Sequence, residues 1–279
     1  MKDLWLLKLF LVISTCQSAE AFLPTHRQHP SPSPAAAQQR RGHPSTTRRY
    51  VSELHVPGYA QTKLPFILKE EDLQTGHGTV LSLREKEYTS ADYSSQIPYN
   101  DGSLLHKTNG PILTKDECNC IINEAEQVAA EIEWTKNRHG NFPTTDLPLV
   151  ELPGTLQFLK LALVERIYPL LRHQFGSYLP DATKLRVADG FVVKYDAAGG
   201  QKELKPHRDG SVLSFNIALN PATEFEGGGT WFASLDDAIR IDQGEIVSHA
   251  SGLLHGGHGI TSGRRYILVA FVILEGYDR

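Results

Sequence analysis

The residues with the clearest chemical potential are a histidine and an aspartate separated by one position, His207 and Asp209. In a β-strand, side chains two residues apart point to the same face, so an imidazole and a carboxylate could approach one cation together. A second imidazole from another strand would complete a face of two histidines and one carboxylate, the arrangement of non-haem iron(II) oxygenases. Because the chain contains 12 histidines, such a pair has little weight by itself.

Three histidines farther along could supply the second imidazole: His249, His255 and His258. They are followed by an apolar strand whose alternating residues share one face: Arg265, Ile267, Val269, Phe271 and Ile273. If that face lines a barrel, Arg265 is a buried charge that requires an anion. A guanidinium binds a carboxylate in a bidentate manner, which suits a keto-acid cosubstrate. The alternative is a solvated Arg265 at the mouth of the strand.

Four motifs occur in order between Tyr195 and Leu274. They are His207-Arg208-Asp209, Gly228-Gly229-Thr230-Trp231-Phe232, His255-Gly256-Gly257 and Gly263-Arg264-Arg265. This stretch resembles the prolyl 4-hydroxylase-like branch of the 2-oxoglutarate/iron(II)-dependent dioxygenases. In that family the distal histidine stands ten residues before the basic residue that binds the cosubstrate, and only His255 has an arginine at this offset. The chain departs from the family at Gly259-Ile260, where a proline is common.

The resemblance implies that His207, Asp209 and His255 hold iron(II) and that Arg265 pairs with the distal carboxylate of 2-oxoglutarate. It implies iron(II), 2-oxoglutarate and L-ascorbate as cofactors. The expected reaction is hydroxylation of a peptidyl prolyl or lysyl residue, or of an unknown small substrate, with release of succinate and carbon dioxide. Two other classes stay open, a non-catalytic jelly-roll metal-binding or interaction module and a zinc-bound cupin-like protein.

Four further residues near these motifs have weaker assignments. Tyr195 matches a family position that often contacts the cosubstrate, and Thr230 would form a hydrogen bond near it. For both, a purely structural role is equally open. His249 and His258 are expected to be structural or to lie beside the metal ligands, because neither has the family offset.

The elements that must position these residues are short strands preceded by two helices. A capping box, Thr114-Lys115-Asp116-Glu117, opens an amphipathic helix, and a second helix is predicted over about 155–173, disturbed near Pro169. Short apolar runs then alternate with glycine-rich turns at 190–195, 212–219, 230–232, 238–241, 245–248 and 265–274. Such runs predict a sandwich or barrel. We therefore predict an α+β fold, a double-stranded β-helix (jelly roll) buttressed by N-terminal helices.

The N-terminal part of the chain is expected to be a targeting sequence. Residues 4–15 are apolar but shorter than the roughly 20 residues that span a bilayer, and Ala19-Glu20-Ala21 fits a cleavage site. We predict a signal peptide over 1–21, with no stable membrane span after cleavage; an uncleaved anchor is the alternative. Residues 22–50 lack Asp and Glu and contain five arginines. This segment resembles the transit-like part of bipartite presequences in secondary-plastid algae, or is a disordered basic linker.

The targeting sequence predicts the secretory pathway (ER lumen or secreted) or a secondary plastid as the compartment. Residues 51–104 are assigned to an N-terminal extension of unknown role, and residues 105–279 to the catalytic dioxygenase domain. The net charge of −4 provides no global basic field, so we expect a peptide or small-molecule substrate and no nucleic acid. Cys118 and Cys120 are too close for an ordinary disulfide and too few for a zinc site. No pattern indicates the oligomeric state.

Overall fold

The computed structural model describes residues 102–235 and 237–276. The predicted signal peptide (1–21), the transit-like segment (22–50) and the extension as far as residue 101 lie outside these ranges. Within them, no helix has the length and hydropathy needed to cross a membrane.

Three helical segments precede the main strands. Helix α1 spans Lys115–Ile132 and begins at the predicted capping box. The Thr114 hydroxyl accepts the N–H of Glu117 at 3.2 Å, and the Glu117 carboxylate accepts the N–H of Thr114 at 2.8 Å. Both orphan donors are thereby satisfied, which confirms the predicted start.

The second predicted helix is confirmed but divided. Helix α2 (Pro153–Ala162) continues through a π-helical turn (Leu163–Ile167) into α3 (Tyr168–Phe175). The N–H of Tyr168 donates to the carbonyl of Leu163, five residues back, so the predicted disturbance lies in the turn just before Pro169. Short 3₁₀ turns occur at Leu149–Glu151, Ala182–Lys184 and Ala222–Glu224.

Antiparallel strands make up the rest of the described chain. They are β1 (Leu105–Lys107), β2 (Asp146–Pro148), β3 (Leu185–Asp196), β4 (Leu204–His207), β5 (Leu213–Ala218), β6 (Phe225–Gly227), β7 (Thr230–Phe232), β8 (Asp237–Ile239), β9 (Ile246–Ala250), β10 (His255–Gly257) and β11 (Ile260–Leu274). The larger sheet has the order β1-β9-β5-β11-β3-β2, with β6 also paired to β11. The smaller sheet has the order β4-β10-β7-β8. The two antiparallel sheets and the helices confirm the predicted α+β jelly roll.

Strand β11 shows how the core and the site are separated. Its even-numbered residues Leu268, Ala270 and Val272 belong to the large buried cluster that includes apolar residues of the three helices. Its odd-numbered residues Arg265, Ile267, Val269 and Phe271 line a cavity on the other face of the sheet. The helices therefore hold one face of the sheet while the other face is free for a ligand. The predicted period-two face is confirmed from Arg265 to Phe271.

Several strand predictions differ from the structure. Strand β11 begins at Ile260 rather than Arg265, β8 ends at Ile239 rather than Ile241, and β9 extends to Ala250. Strands of three or four residues that carry no clear alternation went unpredicted: β1, β2, β4, β6 and β10. Their hydrogen bonds come from partner strands far away in the chain, which no local pattern reveals.

Candidate metal and cosubstrate site

Two short paired strands bring the predicted histidines together. His207 is the last residue of β4 and His255 is the first of β10. The antiparallel register places them directly opposite each other, with ring centroids 4.5 Å apart. Asp209 lies two residues beyond the end of β4, so the expectation that it shares a strand with His207 is wrong. Its backbone N–H donates to the carbonyl of Ser251 at 2.9 Å, and this bond holds the loop against the sheet.

The three side chains form a compact set of potential ligands. Asp209 Oδ1 lies 3.4 Å from His207 Nε2, and Asp209 Oδ2 lies 3.5 Å from His255 Nε2. The ligand atoms all lie within 4.8 Å of one another, so one small cation could contact all three. Among the described residues, this is the group of histidine, cysteine and acidic side chains with that geometry.

Backbone carbonyls orient both imidazoles. His207 Nδ1 lies 2.8 Å from the Lys205 carbonyl, and His255 Nδ1 lies 2.9 Å from the Leu253 carbonyl. A carbonyl oxygen only accepts, so each Nδ1 carries the proton and each Nε2 presents its lone pair. Fixing the ring and its tautomer in this way is typical of metal-binding histidines.

The Asp209 carboxylate is held by serines that the sequence motifs did not indicate. Ser214 Oγ donates to Asp209 Oδ2 at 2.6 Å and lies 2.8 Å from Ser251 Oγ. Ser214 belongs to β5, whose six residues are all buried. A serine and an asparagine, Ser214 and Asn216, interrupt this otherwise apolar strand, and that interruption was the available signal.

The protonation of the site suits a divalent cation. Burial opposes ionisation of Asp209, but the adjoining His255 and His207 imidazoles and the Ser214 hydroxyl outweigh it and hold its pKa well below the usual range. Burial lowers the pKa of His255, so this imidazole is neutral at neutral pH. Burial also opposes the charged form of His207, although Asp209 and the Lys205 carbonyl outweigh it and raise the pKa, so a metal ion that binds Nε2 displaces a proton there. An ionised carboxylate beside imidazole lone pairs is the donor set that a metal ion requires.

A cavity of about 240 Å³ extends from these ligands into the jelly roll. Arg265 lines it and is only 3% exposed, so the solvated alternative is wrong. Its guanidinium carbon lies 5.3 Å from the centre of the Tyr195 ring. Burial lowers the pKa of Arg265, and Tyr195 partly offsets this effect, while no described carboxylate does so. The cavity therefore contains a buried cation that calls for an anionic ligand.

Two of the four residues with weaker assignments, Tyr195 and Thr230, also line this cavity. Tyr195 is 2% exposed, and burial raises the pKa of its hydroxyl, so it is a neutral donor. Thr230 Oγ1 lies 3.4 Å from Asn216 Oδ1, and both side chains reach the cavity wall. Asn216 adds a polar group that the motifs did not indicate.

The remaining two histidines occupy different surroundings. His249 is buried in β9, with its ring 4.3 Å from the His255 ring and 5.1 Å from Phe232. Burial lowers the pKa of His249 to about 3, so it packs as a neutral ring beside the ligands. His258 is exposed and does not line the cavity. Both placements agree with the expected structural or neighbouring roles.

A segment between α1 and β2 lines the cavity beside His207 and Phe191 and was missed by sequence reasoning. The Phe142 ring lies 5.0 Å from the His207 ring, and the His139 ring lies 4.9 Å from Phe191. All four side chains line the cavity. The segment is more than 60 residues before His207, and no motif connects the two.

Comparisons with known proteins support the same chemistry. No family model matches the chain. It is 33% identical over 175 residues to the rat multifunctional procollagen lysine hydroxylase and glycosyltransferase LH3, covering 58% of this chain and 22% of that protein. It is also 33% identical over 175 residues to rat procollagen-lysine,2-oxoglutarate 5-dioxygenase 1, covering 58% of this chain and 23% of that protein. The chain thus spans less than a quarter of the length of these relatives.

Among solved structures, the viral collagen prolyl hydroxylase from Paramecium Bursaria Chlorella virus-1 aligns with a TM-score of 0.43 and 18% identity. The alignment covers 62% of this chain and 97% of that chain. The curated relatives confirm the resemblance to 2-oxoglutarate-dependent dioxygenases that the four motifs indicate.

Proposed function

We propose that this chain is a prolyl 4-hydroxylase-like dioxygenase that uses iron(II) and 2-oxoglutarate to hydroxylate a peptidyl side chain. One observation carries the proposal: a buried arginine without a described carboxylate partner shares a cavity with the three-ligand cluster. A metal site alone would need no such cation. A cosubstrate that chelates the metal at one end and carries a carboxylate at the other explains both features.

The donor set fits iron(II) better than a structural zinc ion. Two imidazoles and one carboxylate leave coordination positions open, whereas structural zinc sites are closed by four protein ligands, often cysteines. Cys118 is in α1, where its thiol contacts the Ala218 carbonyl at 3.8 Å, and it does not line the cavity. When bound, iron(II) with 2-oxoglutarate supplies the dioxygen chemistry that releases succinate and carbon dioxide and hydroxylates the substrate.

The side chains of this chain would position the reactants. Arg265 pairs with the distal carboxylate of 2-oxoglutarate, and the hydroxyls of Tyr195 and Thr230 donate to the same ligand. Ile267 and Val269 make the wall between Arg265 and the open end apolar, which limits access of water. Ser214 keeps the Asp209 carboxylate turned toward the metal ligands.

The substrate and the compartment follow from the relatives' names and the predicted targeting sequence. The named relatives act on procollagen lysine, which supports a peptidyl substrate. It also favours a lysyl over a prolyl residue as the site of hydroxylation. We assign the protein to the secretory pathway on the predicted signal peptide at 1–21; the relatives provide no support for a secondary plastid. We further propose L-ascorbate as the reductant that sustains turnover.

Succinate formation tests the proposal. Purified protein with iron(II), ascorbate and 2-oxoglutarate should release succinate, and His207→Ala or Asp209→Ala should abolish both iron binding and release. His258→Ala is the matched control, because this exposed histidine lies three residues from a ligand but outside the cavity. Undiminished turnover in either ligand variant would contradict the iron site. Iron binding without any succinate would favour the non-catalytic jelly-roll module.

A further inference from the structure

The cavity has opposite charge at its two ends. On β3 the side chains of Phe191, Val193 and Tyr195 line the cavity, with Tyr195 beside Arg265. Alternation along the strand places Asp189 on the same face, one step beyond Phe191 at the open end. Asp189 stands opposite Phe271 in the β3–β11 register, and Phe271 also lines the cavity. A buried cation therefore lies at one end of the cavity, and a partly exposed carboxylate lies just beyond the lining residues at the other, more open end.

That carboxylate belongs to an ion pair with an excess of negative charge. Arg138 bridges two acids, with its nitrogens 2.7 Å from Asp146 Oδ1 and 3.0 Å from Asp189 Oδ2. Asp146 is fully buried and also accepts hydrogen bonds from the hydroxyls of Thr135 and Thr144. Two carboxylates against one guanidinium leave one negative charge uncompensated within this pair of contacts.

Asp189 is the acid that can still take a ligand. Its side chain is 28% exposed, whereas that of Asp146 is inaccessible. Besides Arg138 it accepts the N–H of Gly190 at 2.8 Å, and a carboxylate has about four acceptor positions. Burial raises the pKa of Asp189, with Arg138 opposing, which is the expected state of a carboxylate that lacks part of its compensation.

His139 adds a second acceptor at the same end. Its ring lines the cavity, and neither ring nitrogen forms a hydrogen bond with a described residue. Nε2 is buried and lies 3.8 Å from Asp146 Oδ2, beyond hydrogen-bond distance. Burial lowers the pKa of His139, so the ring is neutral, and its unprotonated nitrogen can accept a hydrogen bond from a ligand. The Phe191 and Phe271 rings, with centroids 5.5 Å apart, form an apolar wall beside it.

We propose that Asp189 and His139 determine substrate specificity by binding the terminal ammonium of an alkylammonium side chain that enters over Phe191 and Phe271. This assignment rests on the proposed function and identifies the residues that recognise the substrate side chain. The apolar wall accommodates the methylene chain, and the two acceptors at its end meet the charge. A prolyl ring presents no group to either acceptor, so the geometry favours a lysine-type side chain.

Peptide binding under anaerobic conditions tests the proposal on the iron(II)- and 2-oxoglutarate-loaded protein. The probes are collagen-like Gly-Ala-Lys repeats and matched repeats with norleucine or proline in place of lysine. We expect the lysine peptide to bind about fivefold more tightly than the norleucine peptide, as a partly exposed ion pair provides. Added salt should reduce the preference by screening the charge. A lysine peptide that binds no better than norleucine or proline would overturn the proposal.

Two variants locate the effect. Asp189→Asn should remove most of the lysine preference while the norleucine affinity stays within twofold. Asp196→Asn is the control, because Asp196 lies on the same strand, on the opposite face, and pairs with Arg264. It should keep the full preference. Equal losses for lysine and norleucine peptides in Asp189→Asn would mean a structural role and contradict the proposal.

His139→Phe is an independent test that keeps a ring against Phe191 and removes the acceptor. It should lower lysine binding and spare norleucine binding; an unchanged preference would exclude His139 from the recognition. Succinate release without peptide is measured in parallel. A chain that binds the lysine peptide selectively but releases no succinate would refute the proposed function alone, and the reverse result would refute only the specificity assignment.

Discussion

Replacing Arg265 by methionine distinguishes a ligand-binding role of this arginine from a structural one. The two roles predict opposite changes in the free energy of unfolding of the ligand-free protein. Arg265 is 3% exposed and has no described carboxylate partner. A buried charge without a counter-ion costs free energy, so the uncharged variant should be at least as stable as wild type in the absence of ligand. An arginine in a buried structural ion pair would instead cost about 3–5 kcal/mol when removed.

The same substitution should weaken 2-oxoglutarate binding steeply. Losing one partner of a buried charge pair costs about 2–5 kcal/mol, or about 30-fold or more in affinity. At 100 times its Kd, a ligand stabilises the folded state by about 2.7 kcal/mol, which raises Tm by about 5–11 °C in a domain of this size. At the same concentration the variant would be near three times its Kd and should gain about 3 °C or less.

Thermal unfolding with and without 2-oxoglutarate measures both effects. Manganese(II) replaces iron(II) to prevent turnover during the scan. Arg264→Met is the matched control, because the adjacent arginine is exposed and pairs with Asp196 at 2.8 Å outside the cavity. It should keep the full ligand-induced shift. Destabilisation of ligand-free Arg265→Met by 3 kcal/mol or more, or a full shift with ligand, would refute the reasoning.

Three further substitutions have defined outcomes. A Cβ added in Gly257→Ala would lie 2.6 Å from the Tyr195 hydroxyl; the displaced tyrosine should raise the KM for 2-oxoglutarate by about fivefold or more, and an unchanged KM would exclude Tyr195 from binding. Arg166 is fully buried, and Glu117 holds it with bonds of 2.8 and 3.0 Å. Glu117→Gln should therefore lose about 3 kcal/mol or more in urea denaturation, whereas a loss below 1 kcal/mol would contradict a paired buried charge. Burial lowers the pKa of His106 to about 4, so the unfolded chain binds a proton that the folded chain does not as pH falls from about 6.5 to 4. The free energy of unfolding of the wild type therefore decreases over that pH window, and His106→Gln should lose about 3 kcal/mol less over the same window. Parallel pH profiles of the two proteins would contradict this.

Local sequence patterns were sufficient to predict the long helices and strands. The start of α1 depends on a capping box within four residues, and the two faces of β11 follow from alternation along a single strand. Strands β4 and β10 have four and three residues, and their pairing depends on a partner about 50 positions away. No local window contains that information, so these strands were missed although they carry two of the proposed ligands.

The sequence by itself determined the chemistry proposed for the site, because the residue types, and the family resemblance carried by the ten-residue offset between His255 and Arg265, indicate a metal and an anionic cosubstrate. Only the tertiary structure decided what surrounds that chemistry. Asp209 reaches the cluster from a loop, Ser214 holds it from a buried strand, and Arg138, His139 and Asp189 meet at the open end. Arg138 and Asp189 are 51 residues apart in the chain, and Ser214 bonds Asp209, five residues before it, from the strand that follows the loop. These contacts arise from sheet register and packing rather than from any spacing that can be read along the sequence.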